Sequence, residues 1–420
     1  MSLHKAVIVV VALSILVAVL RRIIPEIYPL LFRYSEDHDD IFSSELNPIA
    51  HEFFHRPLIS LDAYDEALRR YRFGRSLEPR HQANIPQDLN FFETFFQLKQ
   101  FCWVSAAAGD WMIGVAVLEF HYITSVVIST FNVVTGRSWK SKLEVPLAWL
   151  VGLGAQWESS RESGRIGPIV DGHRVVFNNP MFTTRAEMNF TGKTVKVYAA
   201  TDQLGESGDA TKALIHFEVL FEVEVPAKHF GMVFPIGPRR ASIVHKFSGA
   251  RLSTPMYLRL GAREITIPSS GSGSMDYTRG LLRRMTKWRW ASLTHPSLRY
   301  GFHFSTGTYD VDHISVENTV FVNGTVVLYA HDIAIEPEPD SDGSAPPYQK
   351  KWSVRSLHSE HLRLIFTPAD YHHGSFHYGV LDGDLFHMWG RYSGIAPLAD
   401  GRQLSLDAVG GVLEEHYALW

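Results

Sequence analysis

Two short segments of this 420-residue chain carry residue types that could bind or polarise a small molecule. Residues 275–280 combine a carboxylate, a phenol and a guanidinium, and residues 288–292 combine a guanidinium with two indoles. In an apolar pocket, a paired aspartate and arginine could orient a hydroxyl or polarise a double bond, and the indoles could stack against the ligand. We therefore expect these ligand-binding residues: Asp276, Tyr277, Arg279, Trp288, Arg289 and Trp290.

The same residues also have a purely structural interpretation. An ion pair between Asp276 and an arginine could brace the mouth of a β barrel, because a buried charge must be paired. Trp288 and Trp290 share one face if their segment is a strand, and could then belong to the core of that barrel. The sequence leaves both interpretations open.

One histidine pair has the spacing of a zinc-protease motif. His51 and His55 flank Glu52 in the pattern H-E-x-x-H, which binds zinc only when it lies on a helix. Pro48 and Pro57 leave little room for that helix. We therefore interpret these histidines as surface residues on a short turn.

A second histidine cluster comprises His372, His373, His377 and His387. On one strand, His373 and His377 would lie about 13 Å apart. Zinc binds nitrogen at about 2 Å, so these two side chains cannot share one ion on a straight strand. The cluster is best explained by the polar faces of exposed hairpins.

The single cysteine, Cys102, lies in an apolar run and is expected to be a buried, inert thiol. One cysteine excludes an intrachain disulfide and a thiolate metal site. The chain also has no Rossmann glycine pattern and no serine nucleophile elbow. These observations predict neither a bound metal nor a cofactor.

The composition is that of a globular protein, with 45% hydrophobic and 20% charged residues. The formal net charge of −4 argues against nucleic-acid binding, which needs a broad basic surface. A length of 420 residues predicts more than one domain.

The N-terminal segment is expected to anchor the protein in a membrane. Residues 6–20 contain no charge, and Ser14 is their only polar residue. As a helix they span about 22 Å, and snorkelling by Lys5 and Arg21 could close the gap to a hydrocarbon core of about 30 Å. A cleaved signal peptide is the alternative. Residues 1–35 thus predict a single-pass anchor, on an endomembrane or secretory route rather than in the cytosol.

Residues 36–98 are expected to form a partly helical lead-in. Ser60 could cap a helix in which Leu61, Tyr64, Leu68 and Tyr71 share one face. A second, aromatic-rich helix could start at Asp88.

The remaining sequence predicts an all-β fold of antiparallel barrels or sandwiches. Residues 215–225 alternate apolar and polar side chains, as a half-buried strand does. Hairpin turns are expected at 323–324, 382–383 and 400–401, where Asn-Gly or Asp-Gly pairs occur. The Ser/Gly run at 269–274 suggests a linker between a first barrel domain at 99–268 and a second at 269–420.

The segments 276–280 (DYTRG) and 288–292 (WRWAS) resemble the signature of a family called domain of unknown function 2804. The resemblance extends over about residues 73–420, and is less distinct between 155 and 270. The family is in turn distantly similar to paired lipocalin-like barrel proteins such as hydroxyneurosporene hydratase and tocopherol cyclase. This resemblance implies two calycin-type barrels side by side and an apolar ligand. No catalytic residue can be carried over, because no motif of those enzymes matches here.

Three functions remain open. The first is a membrane-anchored protein that binds or carries a lipophilic small molecule in a barrel pocket. The second is a cofactor-independent hydratase, cyclase or isomerase that acts on an isoprenoid or polyene. The third is a structural or interaction protein whose barrels are filled by side chains.

Overall fold

The computed structural model describes most of the chain from Tyr64 to Leu419. The described residues are 64–65, 67, 69–71, 73–77, 85–86, 88–91, 93–148, 152–159, 173–179, 181–202, 205–206, 216–237, 240–311, 314–339, 345–377 and 381–419. The expected anchor at 1–35 and the histidine motif at 51–55 lie outside these ranges. No helix within them is long and apolar enough to cross a membrane.

The described chain is all-β, as the sequence predicts, and its strands pair in antiparallel sheets. The first sheet has nine strands, in the order β12 (Gly205–Glu206), β7 (Arg137–Pro146), β6 (Ile123–Asn132), β5 (Trp111–Glu119), β4 (Leu98–Ala108), β18 (Ser272–Leu281), β15 (Arg240–Arg251), β14 (Phe230–Gly237) and β3 (Gly74–Ser76). The second has seven, in the order β17 (Arg263–Ile267), β16 (Met256–Leu260), β13 (Phe217–Glu224), β11 (Thr194–Thr201), β10 (Arg185–Phe190), β9 (His173–Asn178) and β8 (Gln156–Ser159).

The third sheet has nine strands, in the order β24 (Thr325–Leu328), β23 (Thr319–Val322), β20 (Tyr300–Gly307), β19 (Met285–Thr294), β29 (Gln403–Leu419), β28 (Asp382–Pro397), β27 (Arg363–His377), β26 (Trp352–Ser356) and β25 (Ile333–Pro337). Two short ribbons complete the strands: β1 (Tyr64–Asp65) with β2 (Arg70–Tyr71), and β21 (Asp310–Val311) with β22 (Ile314–Ser315). The helical content is one π-helical turn at Glu93–Gln97 and one 3₁₀ turn at Pro347–Gln349 within the described residues.

The first sheet is the middle layer of the molecule. One of its faces packs against the second sheet, around a core that includes Phe217 and Phe221. The other face packs against the third sheet through Trp103 and Trp389. Because both faces are covered, nearly every residue of β4 is buried. In the core against the second sheet, a fully buried phenylalanine such as Phe217 contributes about 1.5–3 kcal/mol of transfer free energy.

The third sheet curls around a core of its own, in which Trp352, Phe366 and Tyr392 are fully buried. Arg289 in β19 donates a hydrogen bond to the carbonyl oxygen of Ile335 in β25, at 3.0 Å. The edge strand β25 therefore folds back over the middle of its own sheet.

Local turn signals predict the hairpins with mixed success. Asn323 and Gly324 join β23 to β24 with φ values of 53° and 78°, as the expected type I′ turn requires. The turn around Gly401 joins β28 to β29, also as expected. The third expected hairpin also forms, between β27 and β28, but its turn precedes Asp382 and Gly383, because these two residues already pair with His377 and Phe376.

The predicted helices of the lead-in are not found in its described residues. Tyr64 pairs with Tyr71 in the ribbon β1–β2, although their spacing also fits one face of a helix. The expected helix after Asp88 is reduced to the π-helical turn, because the backbone enters β4 at Leu98 and its hydrogen bonds go to β5 and β18.

The expected linker at 269–274 leads directly into β18, which lies between β4 and β15 in the first sheet. Small residues are needed there because a Cβ on Gly273 would lie 2.3 Å from the side chain of Val223 in the second sheet. A boundary at residue 269 would separate β18 from its sheet. The chain passes from the first sheet to the third between Leu281 and Met285.

Candidate functional site

The six residues expected to form one site lie in three different environments. Asp276 and Tyr277 are consecutive residues of β18, so their side chains point to opposite faces of the first sheet. The Tyr277 ring faces Trp157 of the second sheet. Asp276 binds Lys246 on the other face, and Lys246 also binds Glu317, which precedes β23 of the third sheet. Because side chains alternate along a strand, the structure does not bring the six residues together, and their role in ligand binding stays a prediction.

Arg289 faces the inside of the third sheet. Its Nε donates to Oε1 of Glu415 at 3.0 Å, and its guanidinium lies 5.5 Å from the centre of the Trp352 ring. It does not pair with Asp276, whose ion-pair partner among the described residues is Lys246. The expected Asp–Arg bridge is thus replaced by two separate ion pairs.

Trp288 and Trp290 share the opposite face of β19, as a strand predicts, and both pack between the first and third sheets. We call this region the seam, and define it by its polar and aromatic residues: Trp103, Lys246, Asp276, Trp288, Trp290, His303, Glu317, His387, Trp389, Glu414 and His416.

Lys246 is the buried cation at the centre of the seam. Its Nζ lies 2.7 Å from Oδ2 of Asp276 and 2.9 Å from Oε2 of Glu317. Burial alone would lower the pKa of Lys246, but the two carboxylates raise it. Burial raises the pKa of Asp276 to about 6, against the opposing effect of Lys246.

A contact between a histidine and a carboxylate lies nearby. Nδ1 of His387 is 2.7 Å from Oε1 of Glu414, and the His387 ring lies 5.2 Å from that of Trp103. Burial would raise the pKa of Glu414, but its contacts with His387 and Trp288 lower it. His387 therefore differs from the exposed hairpin histidine that the sequence predicts, whereas His373 and His377 are exposed and pair with aspartates of the neighbouring strand.

The face of β18 that points away from the seam carries a second set of polar side chains, which we call the interior cluster. It comprises Gln100, Trp157, His229, His245, Tyr277 and Arg279, on the side of the first sheet that faces the second.

The interior cluster is continuous. Nε2 of Gln100 donates to the hydroxyl of Tyr277 at 3.2 Å. The Tyr277 ring lies 6.3 Å from that of Trp157 and 6.0 Å from that of His245, which in turn lies 6.4 Å from His229. Side chains from both sheets thus meet around one phenol.

Burial dominates the electrostatics of the interior cluster. It raises the pKa of Tyr277, lowers that of Arg279, and lowers that of His229 to about 4. His229 is therefore neutral at pH 7, and Arg279 remains the cation of the cluster.

Three buried atoms of the interior cluster have no hydrogen-bond partner among the described residues: Arg279 Nε, Trp157 Nε1 and His229 Nδ1. Buried polar atoms in folded proteins are nearly always paired, so these three atoms require an explanation. The surroundings are otherwise apolar, and Cys102, which lies opposite Tyr277 in the register, is buried with a raised pKa, as predicted for an inert thiol.

A separate groove of about 410 Å³ lies at one end of the contact between the first and third sheets. Its apolar lining includes Met112, Val133 and Val409, and its rim includes Asp110 and Asp407. None of the six expected ligand-binding residues lines it.

Sequence analysis missed the partners that define both clusters. Lys246, Glu317, Trp157 and His229 come from four elements distant in sequence from β18, so no local motif connects them. One signal was available: His245 and Lys246 interrupt an apolar run at 241–247, and charge in such a run must find a buried partner.

Comparison with known proteins identifies a family and similar solved structures. The model of the family described as a domain of unknown function (DUF2804) matches residues 68–420. No curated protein matches the chain. Kievitone hydratase from Nectria haematococca is a similar solved structure, with 8% sequence identity, a TM-score of 0.37, and coverage of 81% of this chain and 95% of that chain.

Proposed function

We propose that this chain, which belongs to the DUF2804 family, binds a lipophilic small molecule at the interior cluster. The description of the family assigns no activity. In this proposal the first and second sheets form one lipocalin-like barrel and the curled third sheet forms another. The ligand enters the first, where apolar side chains surround a small set of polar groups, as in most small-molecule sites.

The observation that carries the proposal is the set of unpaired buried polar atoms around Tyr277. Leaving such an atom without a partner costs about 1–3 kcal/mol. Arg279, Trp157 and His229 each contribute one, and all three lie beside the same apolar core. A ligand with an apolar body and a polar end would satisfy these atoms.

Extraction of purified full-length protein tests this function. We expect an apolar compound in a near-stoichiometric amount by mass spectrometry. Tyr277→Phe should lower that amount, because it removes the hydroxyl at the centre of the cluster. Tyr392→Phe is the matched control, since Tyr392 is equally buried but its hydroxyl bonds to Val412 in the third sheet.

An empty wild-type preparation, or equal ligand in both variants, contradicts binding at the interior cluster. The alternative function of a structural or interaction protein would then be favoured.

The seam favours a second candidate function, a cofactor-independent hydratase, cyclase or isomerase of an isoprenoid or polyene. Asp276 has a pKa of about 6 and lies beside Lys246, so it could donate a proton near neutral pH. Incubation of polyenes with wild type and Asp276→Asn tests this. Conversion by wild type alone supports the function, and equal conversion by the variant contradicts a role for Asp276.

We also propose that residues 1–35 tether the protein to a membrane of the endomembrane or secretory route. The support is the uncharged run at 6–20 between Lys5 and Arg21. The full-length protein should sediment with membranes after a carbonate wash, and Val10→Asp with Val17→Asp should release it. Retention of that double variant in the pellet contradicts the tether.

A further inference from the structure

Arg279 differs from three other buried or half-buried cations of this protein, each of which pairs with a carboxylate. Lys246 pairs with Asp276 and Glu317, Arg289 pairs with Glu415, and the Nζ of Lys140 lies 3.2 Å from Asp370. Among the described residues, no carboxylate forms an ion pair with Arg279. Burial lowers the pKa of Arg279, and the phenols of Tyr277 and Tyr71 lie near its guanidinium.

Arg279 is half-buried, and a guanidinium that loses part of its water without gaining a counter-charge is costly. The Nε of Arg279 is buried and has no hydrogen-bond partner among the described residues. Within the described residues, the fold thus provides a half-buried cation and no carboxylate that pairs with it.

The neighbouring groups are donors as well. Nε1 of Trp157 can only donate, and it is buried without a partner in the part of the chain that the structure describes. The hydroxyl of Tyr277 accepts from Gln100, so its own proton is available for a further acceptor. These donors come from two sheets and meet around Tyr277, as recognition of an oxygen-rich head group requires.

Resting on the proposed function, we infer that the ligand of the interior cluster is an anionic amphiphile, whose carboxylate binds Arg279 while its apolar body enters the core between the first and second sheets. The fork of the guanidinium matches the two oxygens of a carboxylate. Buried side chains such as Phe177 and Met188 provide the apolar surroundings for the body.

Two probes that share one hydrocarbon chain test the inference on delipidated full-length protein: oleate and oleyl alcohol. We expect wild type to bind oleate about 10- to 100-fold more tightly than the alcohol, as a charge-assisted hydrogen bond in a buried site would produce. Calorimetry below the micellar concentration provides both affinities.

Two variants refine the test. Arg279→Gln should remove the preference for oleate by lowering the affinity for oleate, and Arg279→Lys should retain part of that preference. Arg355→Gln changes an exposed arginine of the third sheet and should leave both affinities as in wild type.

The outcomes separate the inference from the proposed function. Equal affinity of wild type for both probes overturns the anionic head group while binding itself stands. Binding of neither probe overturns both. Because the wild-type comparison needs no variant, the inference stays falsifiable even if Arg279→Gln fails to fold.

Discussion

Lys246 is the residue on which the buried charges of the seam depend. It separates the carboxylates of Asp276 and Glu317, both of which lie within 3 Å of its Nζ. Lys246→Met would leave two buried acids without a counter-charge, and we expect a loss of about 3–5 kcal/mol in the free energy of unfolding. Urea denaturation measures this loss.

Lys142→Met is the control for Lys246, because Lys142 pairs with Glu144 near the surface. Its cost should be below about 1 kcal/mol. Similar losses for the two variants would mean that the seam charges are hydrated rather than buried.

His229 makes stability depend on pH. Its pKa falls to about 4 on burial, whereas histidine in an unfolded chain ionises near 6.5. The stability that the neutral His229 ring contributes is therefore fully present above pH 6.5 and is lost as the pH falls towards 4. Between pH 7 and pH 5 we expect wild type to lose about 1–2 kcal/mol more than His229→Gln.

Urea unfolding at the two pH values provides this comparison. His361→Gln, at an exposed position, should retain the wild-type pH dependence. If the stability of His229→Gln depends on pH as strongly as that of wild type, His229 is not the cause of this pH dependence.

The residues of the candidate site could be found from the sequence, but their arrangement could not. Side-chain chemistry singles out Asp276, Tyr277 and Arg279, and strand alternation alone predicts that the first of them faces away from the other two. The ion-pair partner of Asp276 lies 30 residues away in β15. The interrupted apolar run at 241–247 marks Lys246 as a buried charge, but no pattern in the sequence pairs it with Asp276.

At the scale of the strands, Gly249 holds β15 against the third sheet. Its φ is 64°, and a Cβ there would lie 2.8 Å from the backbone of Tyr300 in β20. Gly249→Ala must therefore adopt an unfavourable φ and also push two backbones apart. We expect a loss of about 3 kcal/mol or more in the free energy of unfolding, from strain and overpacking together.

Gly109→Ala separates these two effects. Gly109 has a φ of 52° in the turn between β4 and β5, and nothing lies within 4 Å of the added Cβ. Only the backbone cost of about 1 kcal/mol should appear. Equal losses at the two glycines would show that the contact with Tyr300 is unimportant.

Strands with a clear local signal could be predicted, and those without one could not. The alternation along β13 and the Asn323–Gly324 turn depend on neighbouring residues, and both were found. The spacing of Tyr64 and Tyr71 fits a helix face as well as a pair of strands. Strand pairing in the folded protein decides between the helix and the strands, and no pattern in the neighbouring residues predicts that pairing.

At the scale of the whole molecule, Trp389 joins the third sheet to the first. Its ring is 1% exposed and lies 6.0 Å from Trp103 and 5.9 Å from Phe131. Trp389→Ala should cost about 3–5 kcal/mol through the cavity that it creates. Because the seam is buried, wild type should unfold in one transition by both fluorescence and circular dichroism.

Trp139→Ala is the control, since Trp139 is only half-buried, away from the seam, and should cost less. Two separate wild-type transitions, or a negligible effect at Trp389, would mean that the sheets fold independently.

The order of strands in the third sheet has a consequence for biosynthesis. β29 lies between β19 and β28, and Leu419 pairs with Met285, more than a hundred residues earlier. While a ribosome is still making residues 403–419, the nascent β19 lacks one of its two neighbours. The third sheet therefore cannot be completed until the last residues are translated. Until then the unpaired edge of β19 is exposed, and a chaperone would be needed there.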